Sequence, residues 1–585
     1  MTRKELAGAV ILGLCYVVVT ATALVWVHLY TTIELKRQLQ WLSPLVLEIN
    51  FCLIIVALIV NGGALRTFLG RVSRRAWIVL LVTVVIGTAV TTFGAPRIHR
   101  IFYDEDIYLN IGQNIACERQ AGMCNNGETR YGVYSCYQLQ HSKEPNAWPY
   151  LISLLYRAIG VSHLGVHIMN NVIWALSVML VFFLALLLFG DERAGLFAAL
   201  LFAVMPEGMR WANTTAIEPS ALFFGGLTLA AALFFVKHPD RKSLFLAAVI
   251  LPFAIQFRPE SVLIAIPAGL TVLLMAPREL TRRRFYAFLL VCIVLALPHL
   301  VHLYCVKAQS WGAPGDTSKF ALSHLYKNIA VNGPFYVVNK RFPLIVTLLA
   351  LVGLAGPLAR LRRGLAAVRG DAGTAAGHSF HGRETLIVAV WFLLFWGIFL
   401  FFYAGSYDYG ADVRFSLLSQ MPLALLGGLG GACVVQWIGR RLSLRTVESI
   451  LAVVIVMSFL SFLPYVRAAT QEAWSSRFDH RFAHKIAESI PPDSFIFTHN
   501  PNMFLIWGKN AGQASIAMSP DVHLRHFFKR YPGGVYFHYN YWCTVSSETQ
   551  PALCRNILKK FDTEKIMWER ERDKEFALYR LALKQ

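Results

Sequence analysis

The sequence predicts a polytopic α-helical membrane protein, with about thirteen transmembrane helices, that ends in a soluble α/β domain. Three observations predict it. The 585 residues are 56% hydrophobic and only 15% charged, with a mean hydropathy of +0.50, which is more apolar residue than one soluble core buries. Apolar runs near bilayer-crossing length follow one another, separated by short arginine-bearing links. After residue 466 the pattern changes to strand-like stretches such as "DSFIFTHNPNMFLIWGKNAGQASIAMSP" and "GGVYFHYNYWC", with helical stretches such as "HLRHFFKR" between them.

The first run, within residues 1–30, is of spanning length and has no small-residue cleavage site, so it reads as a retained helix. Further runs lie near 43–61, 76–95, 165–189, 193–210, 217–236, 243–257, 260–276, 285–305, 343–359, 385–403, 416–438 and 447–466. With a cytoplasmic N-terminus, the links 62–75, 190–192, 237–242, 277–284, 360–384 and 439–446 face inward. They carry Arg66, Arg71, Arg74 and Arg75, then Arg278 and Arg282 to Arg284, then Arg360, Arg362, Arg363, Arg440, Arg441 and Arg445. The stretch 370–382, "GDAGTAAGHSFHG", reads as a flexible cytoplasmic loop.

Links 96–164, 211–216, 258–259, 306–342 and 404–415, with everything after 466, then lie on the extracytoplasmic face. The expected organisation is N-terminal spans over 1–95, a large outer loop over 96–164, the remaining spans over 165–466 and a soluble domain over 467–585. The net charge of +21 would suit nucleic acid only if the basic residues gathered on one soluble face. They are spread over membrane-border links instead, so lipids are the expected partner and nucleic acid is not.

Cys117, Cys124 and Cys136 share the first outer loop, and Cys543 and Cys554 share the tail. Disulfides persist on that side of a membrane, and the expected pairs are Cys117 with Cys124 and Cys543 with Cys554. The spacing lacks a neighbouring Cys-x-x-Cys, which argues against zinc.

The first outer loop opens on "FYDEDIYLNIGQNIA". Asp104 suits a helix N-terminus, because Tyr108, Ile111 and Ile115 recur at helical spacing behind it. Capping needs one acid, however, and the run supplies three: Asp104, Glu105 and Asp106. Clustered carboxylates at a membrane border can raise one another's pKa, act as a general base, or bind a divalent cation through oxygen ligands, with Glu218 as a partner. The same loop holds "HSKEPNAWPYLISLLYRAIG", a short aromatic amphipathic helix suited to the interface, with Trp148, Tyr150 and Tyr156 as anchors. Lys143 just before it is a cation placed to hold a phosphate.

These features together resemble the GT-C membrane glycosyltransferases, with the protein mannosyltransferases and the lipid A aminoarabinose transferases nearest. "DEDIYLNIGQNIA" is similar to the family's Asp-Glu motif, which implies Asp104 as catalytic acid with Glu105 beside it. "SKEPNAWPYL" is similar to its Lys-Pro-Pro element, through Lys143 and Pro145, with Asn146 in place of the second proline. "PEGMRWANTTAIEPSALFF" resembles a segment bearing a second acid at the head of a span. Glu218 stands there, where the family more often has Asp. "QFRPESVLIAIPAGL" and "DVRFSLLSQMPLALLGG" resemble segments that imply Arg258 and Arg414 at the donor phosphate. The acidic loop follows the third span here and the first in the family, so two spans look added at the N-terminus.

The resemblance implies transfer of a sugar from a polyprenyl phosphate to an acceptor hydroxyl, on lipid, glycan or protein, by one inverting displacement at the periplasmic face of a bacterial inner membrane. Asp104 is then the base, and Lys143, Arg258 and Arg414 hold the phosphate. No cofactor is required by this reading beyond a possible divalent cation, and the tail is expected to recognise acceptor or act as a lid. The rival class is a transporter or flippase of a lipid-linked or anionic substrate, since border charges and short helices also line carrier paths. No inverted hydropathy repeat supports it.

Overall fold

The computed structural model describes residues 3–101, 103–309, 318–338, 341–367, 382–408, 411–470, 474–545 and 549–584. All but the last residue of the 370–382 loop lies outside them. Each of the thirteen apolar runs falls on helix, and the chain is a multi-pass membrane protein. Among the described residues, eight helices are long and apolar enough to cross a bilayer. Of the other five runs, 343–359 lies on helix Leu344–Ala367 and the remaining four give shorter helices. The 193–210 run, for instance, is broken at Pro206 into Glu192–Ala203 and Pro206–Ala212, because proline lacks the N–H that would continue the helix.

The bundle's centre is built around the spans His163–Phe189, Glu218–Lys237 and Gln420–Ile438, each largely buried. Hydrophobic sequence does not attract helices to one another within lipid, so close packing does the work there. Helices Leu344–Ala367 and Gln420–Ile438 approach so closely that a side chain on Gly430 would collide with the Leu349 carbonyl, and one on Gly353 with that of Leu426. By contrast, helix Arg3–Leu29 lies at the margin, where Tyr16 donates to the Tyr286 carbonyl at 2.7 Å on helix Arg283–Val306.

The tail is an α/β domain whose seven-stranded sheet has the order β2-β1-β4-β3-β5-β7-β6. Here β1 is Met123–Arg130, β2 Val133–Gln140, β3 Phe495–Thr498, β4 Asn510–Gln513, β5 Val535–Tyr539, β6 Phe561–Glu571 and β7 Lys574–Leu583. Strand β3 is buried on both faces and pairs in parallel with β4 and β5, as an apolar central strand should. Two strands of this sheet are not from the tail at all. The hairpin β1–β2 belongs to the first loop and joins through Asn126 opposite Gly512 and Gly127 opposite Ala511.

On one face, Phe495, Phe497, Val535 and Phe537 form a core with Leu524, Ile557 and Leu581. On the other, Ile496 and Tyr536 meet Phe478, Phe482 and Ile486 of helix Trp474–Ser489 together with Tyr103 and Tyr134 of the first loop. The first loop and the tail therefore fold as one body. The disulfides follow from this: Cys124 bonds Cys136 across the hairpin, and Cys543 bonds Cys554. The expected Cys117–Cys124 pair is corrected, for Cys117 is a free thiol near the end of helix Asp104–Glu118.

Candidate active site

The acidic run opens helix Asp104–Glu118, so its three carboxylates start about 100° apart around the axis. They reach three different places. Asp104 lines a cavity of about 410 Å³, and among the described residues its carboxylate has no hydrogen bond or ion pair. Glu105 is fully buried and turns away from that cavity. It accepts from the backbone N–H of Arg100 (2.6 Å) and Ile101 (3.0 Å) and from the N–H (2.8 Å) and hydroxyl (2.9 Å) of Thr215. Its work is to pin the entry of the helix to the 213–217 turn. Asp106 faces His480, whose Nδ1 is 3.0 Å from Oδ1, and His99 at 3.6 Å.

Of the three acids expected to act together, Asp104 lines the cavity, whereas Glu105 and Asp106 do not line it and are engaged elsewhere.

The cavity is lined further by Lys143, Glu144, Arg258, Glu260 and Arg414, with Phe399, Phe402, Tyr403 and Phe415 as an aromatic wall. The three cations come from three separate links, and each is held differently. Lys143 precedes helix Ala147–Ile159. Its carbonyl accepts from His302 Nε2 at 3.1 Å, and His302 in turn meets His141 at 2.9 Å. Lys143 forms no ion pair among the described residues, which leaves its ammonium to the cavity.

Arg258 is held by two carboxylates, pairing through Nε with Glu260 and through Nη1 with Glu218. Arg414 Nε lies 3.4 Å from the same Glu218 oxygen. Both guanidinium groups stack on Phe415 at 5.2 Å. Glu218, first residue of helix Glu218–Lys237 and 1% exposed, does not line the cavity. It stands behind the arginines and fixes their heads side by side, a fork geometry suited to phosphate oxygens.

Glu144 and Glu260 are charged cavity residues that the sequence did not single out, although Glu144 sits inside the "SKEP" stretch. Burial pushes the Glu144 carboxyl up; the Lys143 charge opposes this and that of Asp104 adds to it. A second unforeseen feature is a group of four histidines, His99, His163, His167 and His480, of which His99 and His480 face Asp106. The only local sign of it in the sequence is "HLGVH", with two histidines at i and i+4.

Comparison with known proteins agrees with this architecture. The family described as dolichyl-phosphate-mannose-protein mannosyltransferase matches residues 143–302, the stretch with Lys143, Glu218 and Arg258. Among solved structures, the chain is similar to ArnT from Cupriavidus metallidurans in the apo state, at TM-score 0.52 and 14% identity, covering 87% of this chain and 98% of that one. It is similar to the same protein bound to undecaprenyl phosphate at TM-score 0.50 and 15% identity, with the same coverage. No curated protein sequence matches the chain. The fold is that of the GT-C membrane glycosyltransferases, and the chain resembles the protein mannosyltransferases and ArnT.

Proposed function

We propose that this GT-C chain is a glycosyltransferase that moves a hexosyl or pentosyl unit from a polyprenyl phosphate to an acceptor hydroxyl at the periplasmic face of a bacterial inner membrane. One observation carries the reading. A single cavity is lined by an unpaired carboxylate, Asp104, together with Lys143, Arg258 and Arg414 and the aromatic residues Phe399, Phe402, Tyr403 and Phe415. The undecaprenyl phosphate bound by ArnT in the similar structure supports a lipid-linked phosphate as the donor, and the match over residues 143–302 supports a transferase.

In this reading the acceptor hydroxyl gives its proton to Asp104 as its oxygen attacks the anomeric carbon from the face opposite the phosphate. The carbon–oxygen bond to the phosphate breaks, its electron pair leaves with the polyprenyl phosphate, and the anomeric configuration inverts. Charge grows on the departing phosphate, where the two arginines and Lys143 offset it. Because Glu218 already holds the arginines in place, little reorganisation is needed as that charge develops.

The test is transfer of radiolabelled sugar from polyprenyl phosphate by purified protein in nanodiscs. Asp104→Asn is expected to lower turnover by about 100-fold or more with an unchanged unfolding midpoint, since the Asp104 carboxylate makes no bond within the fold. Turnover equal to wild type would remove Asp104 from the chemistry and leave it as an acid in the first turn of its helix. Absence of turnover with every polyprenyl-phosphate sugar would favour the carrier reading.

A further inference from the structure

A second convergence of polar groups lies outside the cavity, where the 96–103 link, the head of span His163–Phe189 and helix Trp474–Ser489 meet. His163 and His167 stand one helical turn apart on the same face, with ring centroids 4.7 Å apart. His99 arrives from the link, its ring 4.8 Å from that of His163, and its Nε2 is 2.6 Å from His163 Nε2. His480 arrives from the tail, its ring 4.0 Å from His99 and 5.0 Å from His163. One nitrogen each of His99, His163 and His167 lie within 4.8 Å of one another, as do nitrogens of His99 and His480 with an Asp106 oxygen. None of these five residues lines the Asp104 cavity.

The surroundings are those of a ligand shell. His167 Nδ1 donates to the Asn213 carbonyl at 3.0 Å, and His480 Nδ1 to Asp106 at 3.0 Å, which leaves Nε2 as the uncommitted nitrogen of each ring. Asp106 also faces His99 Nδ1 at 3.6 Å. A carboxylate or carbonyl behind the imidazole is the usual outer support of a metal-bound histidine. His99 and Asp106 are buried, and His99 Nδ1 and Asp106 Oδ2 have no hydrogen bond among the described residues. Buried polar atoms without a partner are costly, and a cation among the four clustered imidazoles would offset that cost. Magnesium and calcium prefer oxygen, whereas neutral imidazole nitrogens suit zinc and its neighbours in the first transition row.

We propose that His99, His163, His167 and His480 hold one zinc-class ion, with Asp106 as the carboxylate that orients His99 and His480. Its ligands come from the bundle, from the link leading into Asp104 and from the tail, so the ion fastens the soluble domain to the membrane helices. This inference does not depend on the transferase reading.

The full-length protein, purified without chelator, loaded with zinc sulfate and desalted, is expected to retain about one zinc per chain by mass spectrometry. Cobalt(II) in its place is expected to give the intense visible bands of a tetrahedral ion, a measurement on the wild type that no misfolded variant can confound. His163→Ala/His167→Ala should lose the zinc, and Asp106→Asn should weaken its affinity roughly 10- to 100-fold. His141→Ala/His302→Ala, at the other histidine pair, should keep it. A wild type that retains no zinc, a six-coordinate cobalt spectrum, or zinc lost with His141 and His302 instead of His163 and His167 would each overturn the site.

Discussion

Three neighbouring acids do three different jobs because consecutive helical side chains diverge. Asp104 is left to the cavity only because Glu105 takes up the backbone donors of Arg100 and Ile101 and Asp106 turns to the histidines. Glu144 completes the cavity's charge. It faces Lys143, Asp104, Arg258 and Arg414, with Glu260 on the same wall, and burial raises its carboxyl above the usual carboxylate range. The sign follows directly. As pH falls through that raised value Glu144 takes up a proton, the cavity loses one negative charge, and an anionic donor binds more tightly. The donor KM is therefore expected to drop on acidification over a range above the usual carboxylate pKa, and Glu144→Gln should hold the low-pH KM at neutral pH. A KM profile identical in both proteins would rule out Glu144 as the titrating group. Glu218→Gln acts on the same donor from behind: it leaves two buried guanidinium groups less compensated and less fixed, and a rise in donor KM with loss of thermal stability is the expected result.

At the scale of elements, the site depends on two short helices packed face to face. Helix Asp104–Glu118 meets helix Ala147–Ile159 at Gly112, where an added Cβ would lie 2.5 Å from Ile152 Cγ2 and 3.2 Å from the Pro149 carbonyl. One helix begins with Asp104 and the other follows Lys143, so this contact sets the distance between acid and cation. Gly112→Ala is expected to cost about 1–3 kcal/mol in stability and to lower kcat, while Gly225→Ala, whose nearest neighbours are Ile264 side-chain atoms at 4.0 Å, serves as comparison; thermal unfolding together with transfer kinetics checks both. The spans were legible because an apolar run of spanning length has little use outside a bilayer, and all thirteen runs lie on helices. Asp104, Lys143, Arg258 and Arg414 were legible as border charges beside motifs, and one cavity unites them. The hairpin β1–β2 was not, because "MCNNGETR" has no apolar alternation and is held as a strand by its pairing with β2 and its junction with β4. The wrong cysteine partner has the same origin: Cys136 approaches Cys124 through the hairpin turn, which sequence spacing alone does not reveal. The histidine cluster joins residues from 99 to 480, a convergence invisible before the tail is placed.

At the scale of the whole molecule, the tail and the first loop share a sheet, a core and buried polar ties, so the soluble domain positions the residues around Asp104. Tyr103, immediately before that acid, donates to Asp479 of the tail at 2.6 Å. On the far side of the sheet, Glu128 of β1 is 4% exposed and accepts from Tyr137, from Arg530 Nη2 at 2.6 Å and from Tyr531 at 3.0 Å, so it locks the hairpin to helix Asp521–Arg530 and the residue after it. Burial alone would raise its carboxyl, but these hydrogen bonds outweigh that and hold it below the usual range. A carboxylate depressed in the folded state stabilises fully above its unfolded pKa of about 4.3, and that contribution is lost as pH falls through the lower folded value. At neutral pH, Glu128→Gln in the full chain is expected to destabilise the tail by about 1.5–3 kcal/mol, the range for a hydrogen bond to a charged group. Below about pH 4 the difference from wild type should shrink, because protonation removes from the wild type the same charge that the substitution removed. Hydrogen exchange of the β1 and Asp521–Arg530 amides against pH measures this in the intact protein. Parallel curves at every pH would mean that the hairpin is held by its core and its pairing with β4, with the Glu128 charge contributing nothing to the junction.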